Sequence, residues 1–386
     1  MFGSKRNLLI ISILIGVAGY LIYSTPPGSP KEAFAVLYNK CADQSISDRE
    51  KGECLKNLAE TASRAYQLQE IEDGIRNIND SYKLQWCHEF MHYLGWETLS
   101  KTKTISKAFE LASGLCDSGM YHGIVEEYIN QAELSYDPET FTKNIIYETC
   151  EESINNSKNP VAIKGLCYHG LGHAFMFITE NKLNNALEYC DRTKSPNGCY
   201  TGAFMENIQT KQIARFSHQK ELAFQENDPD YPCKILNNKY KDTCYLYKGI
   251  NNLVATGGDV KKAFELCLKV ASKYKNICFR GTGSNIPGPH ETPKGAGEKC
   301  LLSLQINKTA YEECIKGAMS FLVQVALGSP EAVAEFCETI KEEQRNLCYA
   351  ESGDNLNLWV TENETLADKC NKLPTSDAKN LCLNGR

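Results

Sequence analysis

Eighteen cysteines, and the intervals between them, restrict what this chain can fold into more than any other feature. The count is even, no C-x-x-C occurs, and the closest pair is Cys190 and Cys199. Zinc ribbons, thioredoxin-like redox sites and c-type haem attachment need that short spacing, so all three lose support. Cysteines this numerous and this widely spaced predict disulfides, and with them an oxidising compartment. Aligned on its cysteines the chain repeats: "NNALEYCDRTKSPNGCYTGAFMENI" from Asn184, "KKAFELCLKVASKYKNICFRGTGSNI" from Lys261, "EAVAEFCETIKEEQRNLCYAESGDNL" from Glu331 and "ETLADKCNKLPTSDAKNLCLNG" from Glu364. The second cysteines at 244, 278, 314, 348 and 382 recur every 34 to 36 residues, the length of a helix–turn–helix unit.

Each unit reads as two helices. Asp259 in "TGGDVKKAFELC" is placed to cap the first helix of its unit. In "GSPEAVAEFC", Ser329 caps and Pro330 takes the first helical position. The second helix is expected to begin near the second cysteine. Loop closure is easiest between neighbours, so sequential pairing is predicted: 41–54, 87–116, 150–167, 190–199, 233–244, 267–278, 300–314, 337–348 and 370–382. Closing a loop of about ten residues contributes on the order of 3 kcal/mol, useful to thin helical pairs that bury little core alone. In "ALEYCDRTKSPNGCYTGAFMENI" above all, the chain resembles the cysteine-rich Sel1-like and TPR-like α-solenoid repeats, at repeat level over most of residues 180–386. That resemblance implies an all-α stack with a disulfide in each unit and does not imply a function. The glycine- and proline-rich stretch "GTGSNIPGPHETPKGAGEKC", residues 281–300, reads as a long loop between repeats.

At the N-terminus, Lys5 and Arg6 precede "LLIISILIGVAGYLIY", residues 8–23. Sixteen helical residues span roughly 24 Å, a little short for a bilayer core and longer than most signal-peptide cores. The expectation is a single-pass anchor with its N-terminus in the cytoplasm and the body outside; a cleaved signal peptide is the alternative. The expected organisation is therefore an anchor and linker over residues 1–30, histidine-bearing helical repeats over 31–210 and cysteine-stapled helical repeats over 211–386. The fold class is all-α: disulfide-stapled hairpins stacked right-handedly into an α-solenoid behind the anchor. A net charge of −6 gives no electrostatic case for nucleic acid.

Five of the seven histidines fall between residues 88 and 173, at the starts of second helices. "WCHEFMHYLG" holds His88 and His92, "GMYHGIVEEYI" holds His122 and Glu126, and "LCYHGLGHAFMF" holds His169 and His173. Spacing i, i+4 puts both members of each pair on one helix face. Such faces turned together make a cage of imidazoles and a carboxylate for a divalent transition metal, zinc or iron, with enough ligands for two ions. Glu89 and Glu127 are the candidate general bases of a metal-dependent enzyme. His88-Glu89-x-x-His92 also spells the zinc-protease pattern. Against that, the position equivalent to Glu89 in the related motif is Gly170. Tyr121, Tyr168, Tyr200 and Tyr245 read as repeat core. Two functional classes fit: a membrane-anchored metal protein, or a scaffold whose repeat surface binds a protein or peptide.

Overall fold

The structure, a computed structural model, describes residues 29–78, 86–131, 144–157, 160–209, 222–225, 227–288, 291–326, 328–360 and 364–385. The expected anchor at residues 8–23 and the expected boundary at 210/211 lie outside the described residues, as do His218 and His290. All regular structure among the described residues is helical. The chain divides into two compact units, residues 1–87 and 88–386.

The first unit holds α1 (Pro30–Cys41), α2 (Asp48–Ala65) and α3 (Leu68–Arg76). Ser29 with Glu32, and Ser47 with Glu50, form capping boxes that satisfy the first amides of α1 and α2. Phe34, Tyr38, Leu55, Ile71 and Ile75 are among its buried apolar side chains.

In the second unit most inner helices, those that pack on one another in series, are separated in sequence by a shorter outer helix. The first part of the unit comprises α4 (Cys87–Thr102), α5 (Ile105–Glu110), α6 (Leu115–Gln131), α7 (Asn144–Asn156), α8 (Pro160–Ile178), α9 (Leu183–Cys190) and α10 (Pro196–Gln209). Next come α11 (Asn238–Ala255), α12 (Val260–Cys267), α13 (Lys275–Ser284), α14 (Pro293–Ser303) and α15 (Lys308–Val325). The last are α16 (Pro330–Thr339), α17 (Glu342–Asn357), α18 (Leu366–Cys370) and α19 (Ser376–Asn384). From α6 onward each inner helix packs on the next, in the order α6, α8, α10, α11, α13, α15, α17, α19. The caps read from sequence are present: Asp259 accepts from the Lys262 amide, and Ser329 from the Ala332 amide.

Eight of the expected bridges are seen: Cys41–Cys54, Cys150–Cys167, Cys190–Cys199, Cys233–Cys244, Cys267–Cys278, Cys300–Cys314, Cys337–Cys348 and Cys370–Cys382. Cys87 and Cys116 are also disulfide-bonded, and no cysteine is free. A body with every thiol oxidised fits an oxidising setting.

Each second cysteine of the eight bridges lies within a helix, and a buried tyrosine follows it at Cys167, Cys199, Cys244 and Cys348. Tyr168, Tyr200, Tyr245 and Tyr349 each send a hydroxyl to a carboxylate beside or near the first cysteine: Glu151, Asp191, Asp230 and Glu338. Burial and the adjacent Asp191 push the Tyr200 phenol well above its ordinary pKa, so it stays a donor. Tyr200→Phe is expected to lower stability by about 1–2 kcal/mol, since Asp191 loses one donor and keeps Lys239 and Tyr240. Equilibrium denaturation of the oxidised protein measures this, and an unchanged midpoint would deny the bond a structural role.

Glycines set how closely the inner helices approach. A Cβ on Gly172 of α8 would lie 2.1 Å from the Cys199 carbonyl oxygen, and one on Gly202 of α10 would lie 1.8 Å from that of His169. The same reciprocal contact joins Gly249 of α11 and Gly281 of α13. This corrects the reading of residues 281–300 as one long loop. Helix α13 runs to Ser284 and α14 starts at Pro293, capped by Thr292. Gly281 and Gly283 lie inside α13 because neighbouring backbones leave no room for a side chain there.

Helix α8 is the one described helix long and apolar enough to cross a membrane, at 19 residues, and it is mostly buried within the fold. It carries two of the site's histidines. The Gln324 amide of α15 donates to the Ser118 hydroxyl of α6 across 3.2 Å, bringing together residues 206 apart in sequence.

Candidate metal centre

All five histidines predicted from sequence converge on one place between α4, α6, α8 and α10. The ring centres of His88 and His92 lie 6.1 and 5.8 Å from that of His173. His122 sits among them, stacked on His173 at 4.3 Å and 4.8 Å from His169. Three trios of side chains each bring their donor atoms within 4.8 Å: His88, His92 and His122; His122, His169 and His173; His92, Glu126 and His173.

Hydrogen bonds on the outer side of four of the five rings engage Nδ1. His88 Nδ1 lies 2.8 Å from the Cys116 carbonyl oxygen, which only accepts, so Nδ1 carries the proton. His92 Nδ1 meets the Glu126 carboxylate at 3.1 Å, and His173 Nδ1 meets that of Glu206 at 2.7 Å. His169 Nδ1 is 2.7 Å from the Thr201 hydroxyl, which gives its own hydrogen to the Gly198 carbonyl at 2.6 Å and therefore accepts from His169. In a neutral imidazole with Nδ1 protonated, Nε2 holds a bare lone pair.

Those lone pairs face each other. His88 Nε2 and His92 Nε2 are 2.9 Å apart, and His169 Nε2 and His173 Nε2 are 3.1 Å apart. Two bare lone pairs at such a distance repel unless a cation lies between them. Burial first, then the neighbouring imidazoles, hold His88 and His169 well below the ordinary value of 6.5, which disfavours a proton in that role. A metal ion between the paired nitrogens is a cation that suits them. Donors about 2.05 Å from a common ion and separated by these gaps subtend roughly 90° and 98°, the angles of adjacent ligands in six-coordinate geometry. His122 is 1% exposed, and its Nδ1 has no hydrogen-bond partner among the described residues.

Glu126 and Glu206 are both buried, and each holds a histidine by the Nδ1 proton, the usual outer partner of a metal-binding imidazole. Glu206 was not among the site residues drawn from sequence, although it stands beside Met205, which matches Glu126 in the repeat. Counted from the glycines Gly123 and Gly202, Glu126 is at +3 and Glu206 at +4. Positions +3 and +4 share a helix face, so either can reach back to the preceding helix. The two candidate bases stand outside all three trios. Buried Glu89 accepts from the Tyr93 hydroxyl at 2.6 Å. Glu127 accepts from the Gln131 and Asn130 amides at 2.9 and 3.3 Å.

Backbone geometry supports the first pair. Cys116 and Ser118 at the start of α6 have φ of 55° and 61°, left-handed values that cost a non-glycine residue about 1–2 kcal/mol each. That distorted turn presents the Cys116 carbonyl to His88. In comparisons with known proteins, the chain matches no family model, no curated protein and no solved structure.

Proposed function

We propose that this is a metal-binding protein held on the outer face of a membrane by residues 8–23, its hairpins stacked as an α-solenoid around a two-ion histidine centre. The observation that carries this reading is the pairwise facing of four imidazole lone pairs inside a buried site. His88 and His92 would hold one divalent transition-metal ion, His169 and His173 a second, with His122 shared between the two trios. A single ion with ligands at about 2.1 Å keeps all its donors within about 4.2 Å of one another, whereas three overlapping trios suit two adjoining centres. Glu126 and Glu206 would fix the ring orientations through the Nδ1 hydrogens.

Bound ions in such a site supply Lewis acidity and lower the pKa of bound water, the chemistry of a metal-dependent hydrolase or oxygen-handling enzyme. The zinc-protease reading is weaker. Glu89 is engaged by Tyr93, and the matching position in the second histidine pair is Gly170, which carries no carboxylate. In a pure interaction scaffold each facing pair would share a proton in place of a metal ion.

Metal analysis of the purified chain after equilibration with zinc or iron(II), then dialysis, tests the proposal. Two ions per chain are expected. His92→Ala and His173→Ala should each lose about one ion, and the double variant both, with helical content kept by the disulfides. Metal content unaffected by the double variant would sink the assignment.

A further inference from the structure

The inner helices of the second unit also enclose a cavity of about 440 Å³. Its wall runs from His122 and His169 of the proposed centre to Phe321 of α15 and to Trp359, just beyond α17. This size falls in the range of about 300–1,000 Å³ that holds small organic ligands. No Asp, Glu, Lys or Arg is among the described residues that line it, in a chain that is 23% charged. A charged ligand would lose its hydration there and gain no counter-charge. Polar groups are present but neutral, as in Asn285 and Gln324.

A second observation points the same way. Val161, Val254 and Leu358 are 52%, 51% and 46% exposed, and all three line this cavity. Large apolar side chains left open to water on a concave wall mark a surface that something apolar covers.

We propose that this cavity binds an uncharged, mainly apolar small molecule and holds it against the imidazoles of the metal centre, a reading that rests on the centre proposed above. The molecule enters along the inner-helix faces and reaches the centre on the side of His122 and His169. The neutral amides and hydroxyls of the wall receive its few polar atoms.

The neutral dye N-phenyl-1-naphthylamine tests this on the oxidised, metal-loaded protein. Saturable fluorescence enhancement is expected, with energy transfer that Trp359→Phe diminishes. 1-Dodecanol should displace the dye, whereas dodecanoate should displace it at least tenfold less well. Val161→Glu and Val254→Glu alter exposed positions and should each weaken dye binding at least tenfold with metal content unchanged. Cobalt-loaded protein should quench the bound dye relative to zinc-loaded protein. Absent saturable binding, full binding in both Glu variants, equal displacement by dodecanoate, or equal emission with cobalt and zinc would each overturn the proposal. Displacement by peptides but not by dodecanol would make the cavity a peptide groove and overturn it too. Metal content is read on the same samples, so a centre without ions and a cavity without dye are separate results.

Discussion

Gly202→Ala is expected to destabilise the protein by about 4 kcal/mol or more and to disconnect the second histidine pair from its partners. The added Cβ would sit 1.8 Å from the His169 carbonyl oxygen, where an ordinary contact needs more than 3 Å. Over-packing usually costs about 1–3 kcal/mol because a side chain can turn aside. Here the opposing atom is backbone, so α8 and α10 must separate. Two bonds span that interface, His169 to Thr201 and His173 to Glu206, each 2.7 Å long. Gly165 on the same α8 gives the control: its Cβ would meet nothing within 4 Å, so Gly165→Ala should stabilise by about 0.5–1 kcal/mol through helix propensity alone. Thermal unfolding and metal content of both variants measure the contrast. Equal melting of Gly202→Ala and the parent would show that the inner helices do not approach this closely.

Acid is expected to begin destabilising the metal-free protein at a higher pH than ordinary carboxylates titrate. Burial, reinforced by neighbouring imidazoles, holds His88, His122 and His169 well below 6.5. The folded state therefore refuses protons that the unfolded chain accepts, so stability is complete above about pH 6.5 and falls as pH drops below it. Three such groups give a limiting slope of about 4 kcal/mol per pH unit. A stability of about 5–15 kcal/mol is then largely lost within two to three units. His122→Leu should remove about a third of the slope. Urea midpoints of the metal-free protein between pH 8 and 5 measure it, and a flat profile would mean that the histidines are not buried in neutral form. Metal binding requires the same deprotonated rings, so affinity should fall over the same range.

The helical hairpins and their staples were legible because cysteine spacing is a covalent signal: eight sequential pairs follow from neighbour order alone. The histidine cage was legible for a related reason, since pairs at i, i+4 in equivalent repeat slots must share a face and neighbouring inner helices must face one another. What sequence could not show is which nitrogen points where. Glu126 belongs to a trio of possible ligands and also lies against His92 Nδ1, and Glu206 is one position off the repeat register. Glycines misled for a physical reason. The same residue that frees a loop also lets two backbones touch, and within "FRGTGSN" only packing distinguishes the two uses. The carboxylates that receive the tyrosine hydroxyls carry a short signal, an acid directly after the first cysteine at Glu151, Asp191 and Glu338.

The bond from Gln324 to Ser118 bears on how the chain assembles. Stacked hairpins interact only with neighbours, so they can form in any order and tolerate the loss of a terminal repeat. A contact between residues 206 apart belongs to another regime, in which a long chain segment must close before the reward is collected. Ser118 occupies the strained turn that also presents the Cys116 carbonyl to His88. Repeats distant in sequence thus take part in shaping the first histidine pair, and the array acquires a seam that is sewn last.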